Sequence, residues 1–298
     1  MQILMTTHGA PHDEVALRFG AEIARRADKL PTVLTVIKHE RDRPQGDEVL
    51  AHARGILEMQ GLKAWTKLRI GHPAAEIVRE AEESDHGLVI VGDSQDHNLV
   101  TRFLQGSTAV RVVEHAPCPV IVAKGKAEPI RRILLCDSGA EGPLVGLPSA
   151  SLPSAALGSG GTGRAGPSVL GRFTTQLAGL LKGEEEITIL HVMSQMGAGP
   201  GVEGKPLRAN AEELIENTTP EGMLLEQDIE TLERLGVHAR AEVRHGLVVD
   251  EILGEAQRED YDLVVIGAYR GEGWQRILLD DLAHRIMIQS DRPVLVVR

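Results

Sequence analysis

Cysteine is nearly absent. Among 298 residues only Cys118 and Cys136 occur, each in an apolar strand-like run and neither with CxxC or histidine spacing for a metal. Two isolated thiols offer no disulfide framework; they fit a reducing compartment, with both side chains expected to be buried as small hydrophobes. Long apolar runs are missing too. No stretch approaches the ~18 residues of a membrane span, and the opening MQILMTTHGA lacks the basic segment and apolar core of a signal peptide. The expectation is a cytoplasmic protein with no membrane partner. Basic clusters are also lacking: 32 Lys and Arg face 43 Asp and Glu, for a formal net charge of −11. That balance disfavours nucleic acid and leaves small molecules or proteins as partners. No Ser-His-Asp order, HExxH or nucleophile elbow is present.

What the chain does contain is a repeat, and a repeat must be found before a fold is read. Set without a gap at an offset of 175, 71–92 and 246–267 share nine identities in 22 positions, among them Glu76/Glu251, Glu80/Glu255, Asp85/Asp260 and Gly92/Gly267. After a one-residue deletion the offset becomes 174, and Ala109/Ala283, Arg111/Arg285, Pro119/Pro293, Val120/Val294 and Val122/Val296 also pair. This length allows roughly two domains of ordinary size, and the duplication favours two.

In the first copy, apolar runs at 2–7, 32–38, 62–70, 88–91 and 119–123 read as strands. Stretches 13–27, 47–60, 73–84 and 100–114 have helical spacing, with Val15, Phe19 and Ile23 on one face of the first and Pro73 near the start of the third. Strands alternating with helices imply right-handed crossovers and a parallel sheet covered on both faces. Each half is then a doubly wound α/β domain. KGKAEPIR (124–131) is polar with one proline, so the division is 1–124, a linker at 125–131, and 132–298. In the second half RILLCD (132–137) answers the first strand, helix resumes over 169–181, a strand follows at 187–192, and one long helix runs to about 235. Residues 139–168, rich in Gly, Ser, Pro and Ala, have no period and read as an inserted loop.

Two glycine patterns imitate phosphate loops. GPGVEGK (199–205) is followed by Pro206, which supplies neither the hydroxyl nor the N–H that a P-loop needs. GSGGTG (158–163) stands about 18 residues beyond Gly139 instead of opening a helix directly after a strand, and reads as loop.

Gly92, then Gly106-Ser107, then HAPCPVIVA (115–123) resemble the universal stress protein family in its tandem two-domain form, with LTV (34–36) and LHV (190–192) matching its second strand. The resemblance implies two universal stress protein domains facing each other as a pseudo-dimer within one chain, their last strands pairing antiparallel, with a homodimer as a further possibility. It also implies a binding module in the stress response, with at most weak ATP hydrolysis. The ligand would be ATP, AMP or ADP with Mg²⁺ in the first domain, held by Thr7, His8, Val36, Gly92, Gly106, Ser107 and Thr108. Glycines let backbone approach a phosphate, and a hydroxyl at a helix N-terminus adds a donor. Both copies depart from the family pattern. The middle glycine of the first is replaced by Gln95 or Asp96, and His8 stands where the family has a nucleoside-holding aspartate. The second keeps Gly267 but puts Asp280-Asp281 where Gly-Ser belongs, and two carboxylates repel a triphosphate. Its counterparts Asp137, Val192 and Gly267 thus form a degenerate site.

Glu76/Glu251 and Glu80/Glu255 recur at i, i+4 and are expected on a solvated helix face. His72 and His115 read as turn or helix-end residues, Trp65 as a packing residue, and Trp274 as a cap over the open end of the second sheet. His8 fits either a nucleoside contact or a solvent-facing turn. Two functions stay open: the nucleotide-binding module, and a protein without nucleotide that acts through dimerisation or protein partners. An adenylyl transferase is the weakest alternative, since no HIGH-type or PP-loop motif occurs.

Overall fold

The computed structural model describes residues 1–93, 108–125, 129–136, 169–193, 209–267 and 274–298, without the side chains of 11, 12, 178 and 274–281. The first half contributes strands β1 (Gln2–Thr6), β2 (Thr32–Ile37), β3 (Trp65–Ile70), β4 (His86–Gly92) and β5 (Val120–Ala123). Between them lie helices α1 (Pro11–Ala27), α2 (Arg43–Met59), α3 (Pro73–Glu83) and α4 (Thr108–His115). The second half contributes β6 (Arg132–Cys136), β7 (Glu186–Met193), β8 (His238–His245), β9 (Leu263–Gly267) and β10 (Val294–Val297). Its helices are α5 (Val169–Leu177), α6 (Ala211–Glu216), α7 (Pro220–Arg234), α8 (Val248–Arg258) and α9 (Trp274–Gln289).

All ten strands form one sheet in the order β3-β2-β1-β4-β5-β10-β9-β6-β7-β8. Each half is parallel internally. The halves join where β5 and β10 pair antiparallel, with Val294 opposite Val122, Leu295 opposite Ile121 and Val296 opposite Val120. The expected pairing of the last strands is therefore present, and it removes two apolar edges that would template aggregation. It also sets the strand directions of the two halves opposite, so their carboxyl ends lie at opposite ends of the sheet.

Side-chain alternation divides the core. Ile3, Met5, Leu88 and Ile90 point to one face, under α1 and α2, and join Ile133, Leu135, Val265 and Leu295 of the second half. Leu4, Val89 and Val91 point to the other, with Ile77 and Ala81 of α3, Ile252 of α8 and Val264. Both cores are continuous across the pseudo-twofold. Ion pairs add ties between the halves. Arg26 of α1 meets buried Glu185 and donates to the Ile130 carbonyl at 2.7 Å. Lys124, first residue of the polar KGKAEPIR run, is buried: it pairs with Asp93 at 3.0 Å and donates to the Met287 and Ser290 carbonyls at the end of α9.

The structure corrects four expectations. The long helix ending near 235 is two helices: Thr218 takes a left-handed φ of 51°, Thr219 caps α7 by accepting from Gly222 N at 3.0 Å, and Pro220 has no N–H to continue α6. Trp65 is 69% exposed, because it opens β3 at the sheet edge. Cys118 is buried as expected, but Cys136, at the end of β6, is half-exposed. Most consequentially, three of the four repeated glutamates of α3 and α8 do not face solvent, and the fourth, Glu251, is half-buried. Glu76, Glu80 and Glu255 are buried, Glu80 to 1% exposure. The reason is a cation on the third strand of each half. Arg69 reaches Glu80 at 2.7 Å and Glu76 at 3.0 Å, Lys67 reaches Glu80 at 2.6 Å, and Arg244, 175 residues after Arg69, reaches Glu255 at 2.7 Å.

Candidate functional site

The candidate site stands at the carboxyl end of β1 and β4, where open α/β sheets bind ligands. After the apolar β1, Thr7 and His8 lead into Gly9, whose φ of 88° suits a residue without a β-carbon. The chain then turns into α1 with Asp13 in its first turn, where a carboxylate meets unpaired N–H groups. Asp13 is buried. Its Oδ2 accepts from His8 N at 2.8 Å, Ala10 N at 3.2 Å and the Thr7 hydroxyl at 3.2 Å, and lies 2.9 Å from His8 Nδ1. The hydrogen bond to Asp13 raises the His8 pKa above its ordinary value, opposed by burial and reinforced by the carboxylate charge. The His8 side chain is otherwise 65% exposed, so it stands at the mouth of the site as an aspartate-held cation when protonated.

Gly92 closes β4 opposite this carboxylate. A β-carbon on Gly92 would stand 2.9 Å from Asp13 Oδ1 and 3.6 Å from the Ala16 β-carbon. Thr7 is laced to β2: its N donates to the Leu34 carbonyl at 3.0 Å and its carbonyl accepts from the Thr35 hydroxyl at 2.8 Å. The structure thus gathers Thr7, His8 and Gly92 around Asp13. Val36 is half-buried in β2, in register with Arg69, and Thr108 is the exposed first residue of α4. Gly106, Ser107 and Asp137 lie outside the described residues, as do the stretches 139–168 and 199–205 expected as loops and the side chains of Trp274, Asp280 and Asp281. His72 precedes α3 with Nε2 3.5 Å from Arg111 Nη1, and His115 ends α4.

Asp13 is the residue that sequence reasoning passed over. A signal for it was available. The offset of 156 that aligns Leu34–Val36 with Leu190–Val192 also aligns Asp13 with Val169 and Ala16 with Arg172. In the structure a β-carbon on Gly267 would stand 2.8 Å from Val169 Cγ2 and 3.4 Å from Arg172 Nη2. The duplicated glycine therefore faces a carboxylate in one half and an isopropyl group beside a guanidinium in the other. Val192 is half-buried in β7, in register with Arg244, as Val36 is with Arg69.

This duplicated architecture has known relatives. The universal stress protein family model matches residues 1–124 and 169–298. The chain belongs to the universal stress protein family. A universal stress protein of Methanocaldococcus jannaschii is 38% identical over 82 residues, 28% of this chain and 48% of that protein. The chain thus spans about half the length of that relative. A putative universal stress protein of Staphylococcus saprophyticus is 29% identical over 143 residues, 43% of this chain and 85% of that protein. Among solved structures, a universal stress protein from Archaeoglobus fulgidus superposes with a TM-score of 0.66 at 16% identity, covering 100% of this chain and 96% of that one. A putative universal stress protein from Pseudomonas aeruginosa gives 0.61 at 18%, covering 99% and 92%. At these identities the structural matches speak to the fold of this universal stress protein. Among its described residues no helix is long and apolar enough to cross a membrane.

Proposed function

We propose that this universal stress protein is a binding module holding one adenine nucleotide, ATP or its mono- or diphosphate with Mg²⁺, in its N-terminal half, and that the C-terminal copy has lost that site. The observation that carries the reading is the exchange of Asp13 for Val169 over Gly92 and Gly267. A buried carboxylate whose Oδ2 is held by the turn after β1 offers acceptors for the hydroxyl groups of a ribose; valine offers none. His8, held beside it and carrying a raised pKa, adds positive charge at the mouth, which favours a phosphorylated ligand. Gly92 leaves room for the Asp13 carboxylate over the end of β4, and Gly106-Ser107 in the sequence supplies a small residue and a hydroxyl for phosphate. The role is binding and signalling, with no catalytic group assigned.

The test is calorimetric titration with ATP, ADP and AMP, with and without Mg²⁺, on wild type and Gly106→Asp. Saturable binding that Gly106→Asp abolishes is the expected result. Binding equal in the variant moves the ligand elsewhere, and no binding by wild type leaves a protein that works through partners or dimerisation.

A further inference from the structure

Lys124 opens a polar run, yet its side chain is buried where the two halves meet. Taking an ammonium out of water is costly unless acceptors replace the water. Both halves supply them. Asp93 of the first half lies 3.0 Å away, and the Met287 and Ser290 carbonyls accept from Lys124 Nζ at the end of α9. Carbonyls there have no partner within the helix, and the helix dipole favours a cation. The next residue locks the arrangement: Gly125 takes a left-handed φ of 64°, and a β-carbon on it would stand 2.7 Å from the Asp291 carbonyl oxygen.

Asp93 occupies a sensitive place. It follows Gly92 at the carboxyl end of β4, its N donates to the Ala123 carbonyl at 3.2 Å, and it directly precedes 94–107, the stretch that ends in Gly106-Ser107. A buried carboxylate near a phosphorylated ligand repels each charge that the ligand carries, and a cation beside the carboxylate cancels that repulsion. The second copy differs. At the offsets of the repeat, Lys124 corresponds to Arg298 but Asp93 corresponds to Ala268, so this charge pair belongs to the first half alone.

We propose, resting on the nucleotide reading above, that the C-terminal half completes the N-terminal site: the end of α9 holds Lys124 as a positioning residue, and Lys124 neutralises Asp93 so that phosphate groups are tolerated at the carboxyl end of β4. Lys124 acts through Asp93 and does not itself touch the ligand. Its effect therefore grows with the number of phosphates, which a tie that served the fold alone would not produce.

The test is calorimetric titration of the full-length protein with AMP, ADP and ATP, without Mg²⁺ and at constant ionic strength. Wild type is compared with Lys124→Met, Asp93→Asn and the double variant, each at a temperature where circular dichroism shows it folded. Lys124→Met is expected to lose about tenfold or more in affinity for ATP, less for ADP and least for AMP. The double variant, with no carboxylate left to repel phosphate, is expected to return to within about threefold of wild type for ATP. If Lys124→Met does not fold, Asp93→Asn alone decides, since removing the carboxylate charge beside an intact Lys124 is expected to raise the ratio of ATP to AMP affinity by about threefold or more. Wild type that binds no nucleotide refutes the nucleotide reading and this role with it. Wild type that binds, with variants whose ratio of ATP to AMP affinity is unchanged, overturns this role alone.

Discussion

Asp13 Oδ1 lies 2.9 Å from the point where a β-carbon on Gly92 would stand, while Asp13 Oδ2 is held by Thr7, His8 and Ala10. The carboxylate has no slack on the side away from Gly92. Gly92→Ala is therefore expected to cost about 1–3 kcal/mol through overpacking and to displace the carboxylate from its donors. Urea unfolding of the variant measures it, and a change within a few tenths of a kcal/mol would show that the turn adapts freely.

Lys124 and Asp93 form a buried pair 3.0 Å apart. Removing one partner strands a charge, so Lys124→Met and Asp93→Leu are each expected to destabilise by about 3–5 kcal/mol. The double variant should recover the part owed to the stranded charge, though not the hydrogen bonds that Lys124 donates to the Met287 and Ser290 carbonyls. A double-mutant cycle in guanidinium chloride gives the coupling; simple additivity would deny that the pair acts as a unit.

Glu80 and Glu255 show why part of this structure escapes sequence reading. Two glutamates at i, i+4 on a helix resemble a solvated face when the helix is read alone. What buries them is Arg69 and Arg244 on the neighbouring edge strands, and that juxtaposition exists only once the sheet is assembled. The same limit hid Asp13, an ordinary first-turn acid until β4 brings Gly92 beside it. By contrast, the strand–helix alternation and the 175-residue repeat follow from patterns visible in the residues themselves, while the antiparallel closure is implied by the resemblance of motifs such as HAPCPVIVA to the family. Trp65 misleads because an aromatic residue in a strand pattern does not announce that the strand is an edge.

For Glu80, burial pushes the pKa up, but hydrogen bonds from Lys67 and Ser84 and the charges of Lys67 and Arg69 hold it below the ordinary value overall. A carboxyl whose folded pKa is depressed stabilises the fold above its unfolded pKa, about 4.3, and loses that contribution as pH falls through the folded value. Glu80→Gln is expected to lower stability at pH 7 and to flatten its decline below about pH 4.3. Thermal melts across pH 3–7 provide the comparison, and parallel curves for the two proteins would contradict the assignment.

His86 opens β4 where Tyr261 stands in the second copy, and it is buried with neither ring nitrogen hydrogen-bonded. Burial lowers its pKa, opposed by Glu80. The sign is opposite to that of His8: unfolded histidine takes up its proton near pH 6.5 before the folded one does, so stability is lost as pH falls below that value. His86→Tyr is expected to remove this part of the acid sensitivity as pH falls below about 6.5. A variant whose stability falls as steeply below that pH would refute the role.

The account turns on asymmetry between two copies of one fold, and Asp13 against Val169 is its sharpest expression. Calorimetric titration of ATP with Mg²⁺ into wild type and Asp13→Val, the variant confirmed folded by circular dichroism, tests it most directly. The account predicts one site per chain in wild type and loss of that site in Asp13→Val. Two sites per chain, or binding by Asp13→Val indistinguishable from wild type, would contradict it.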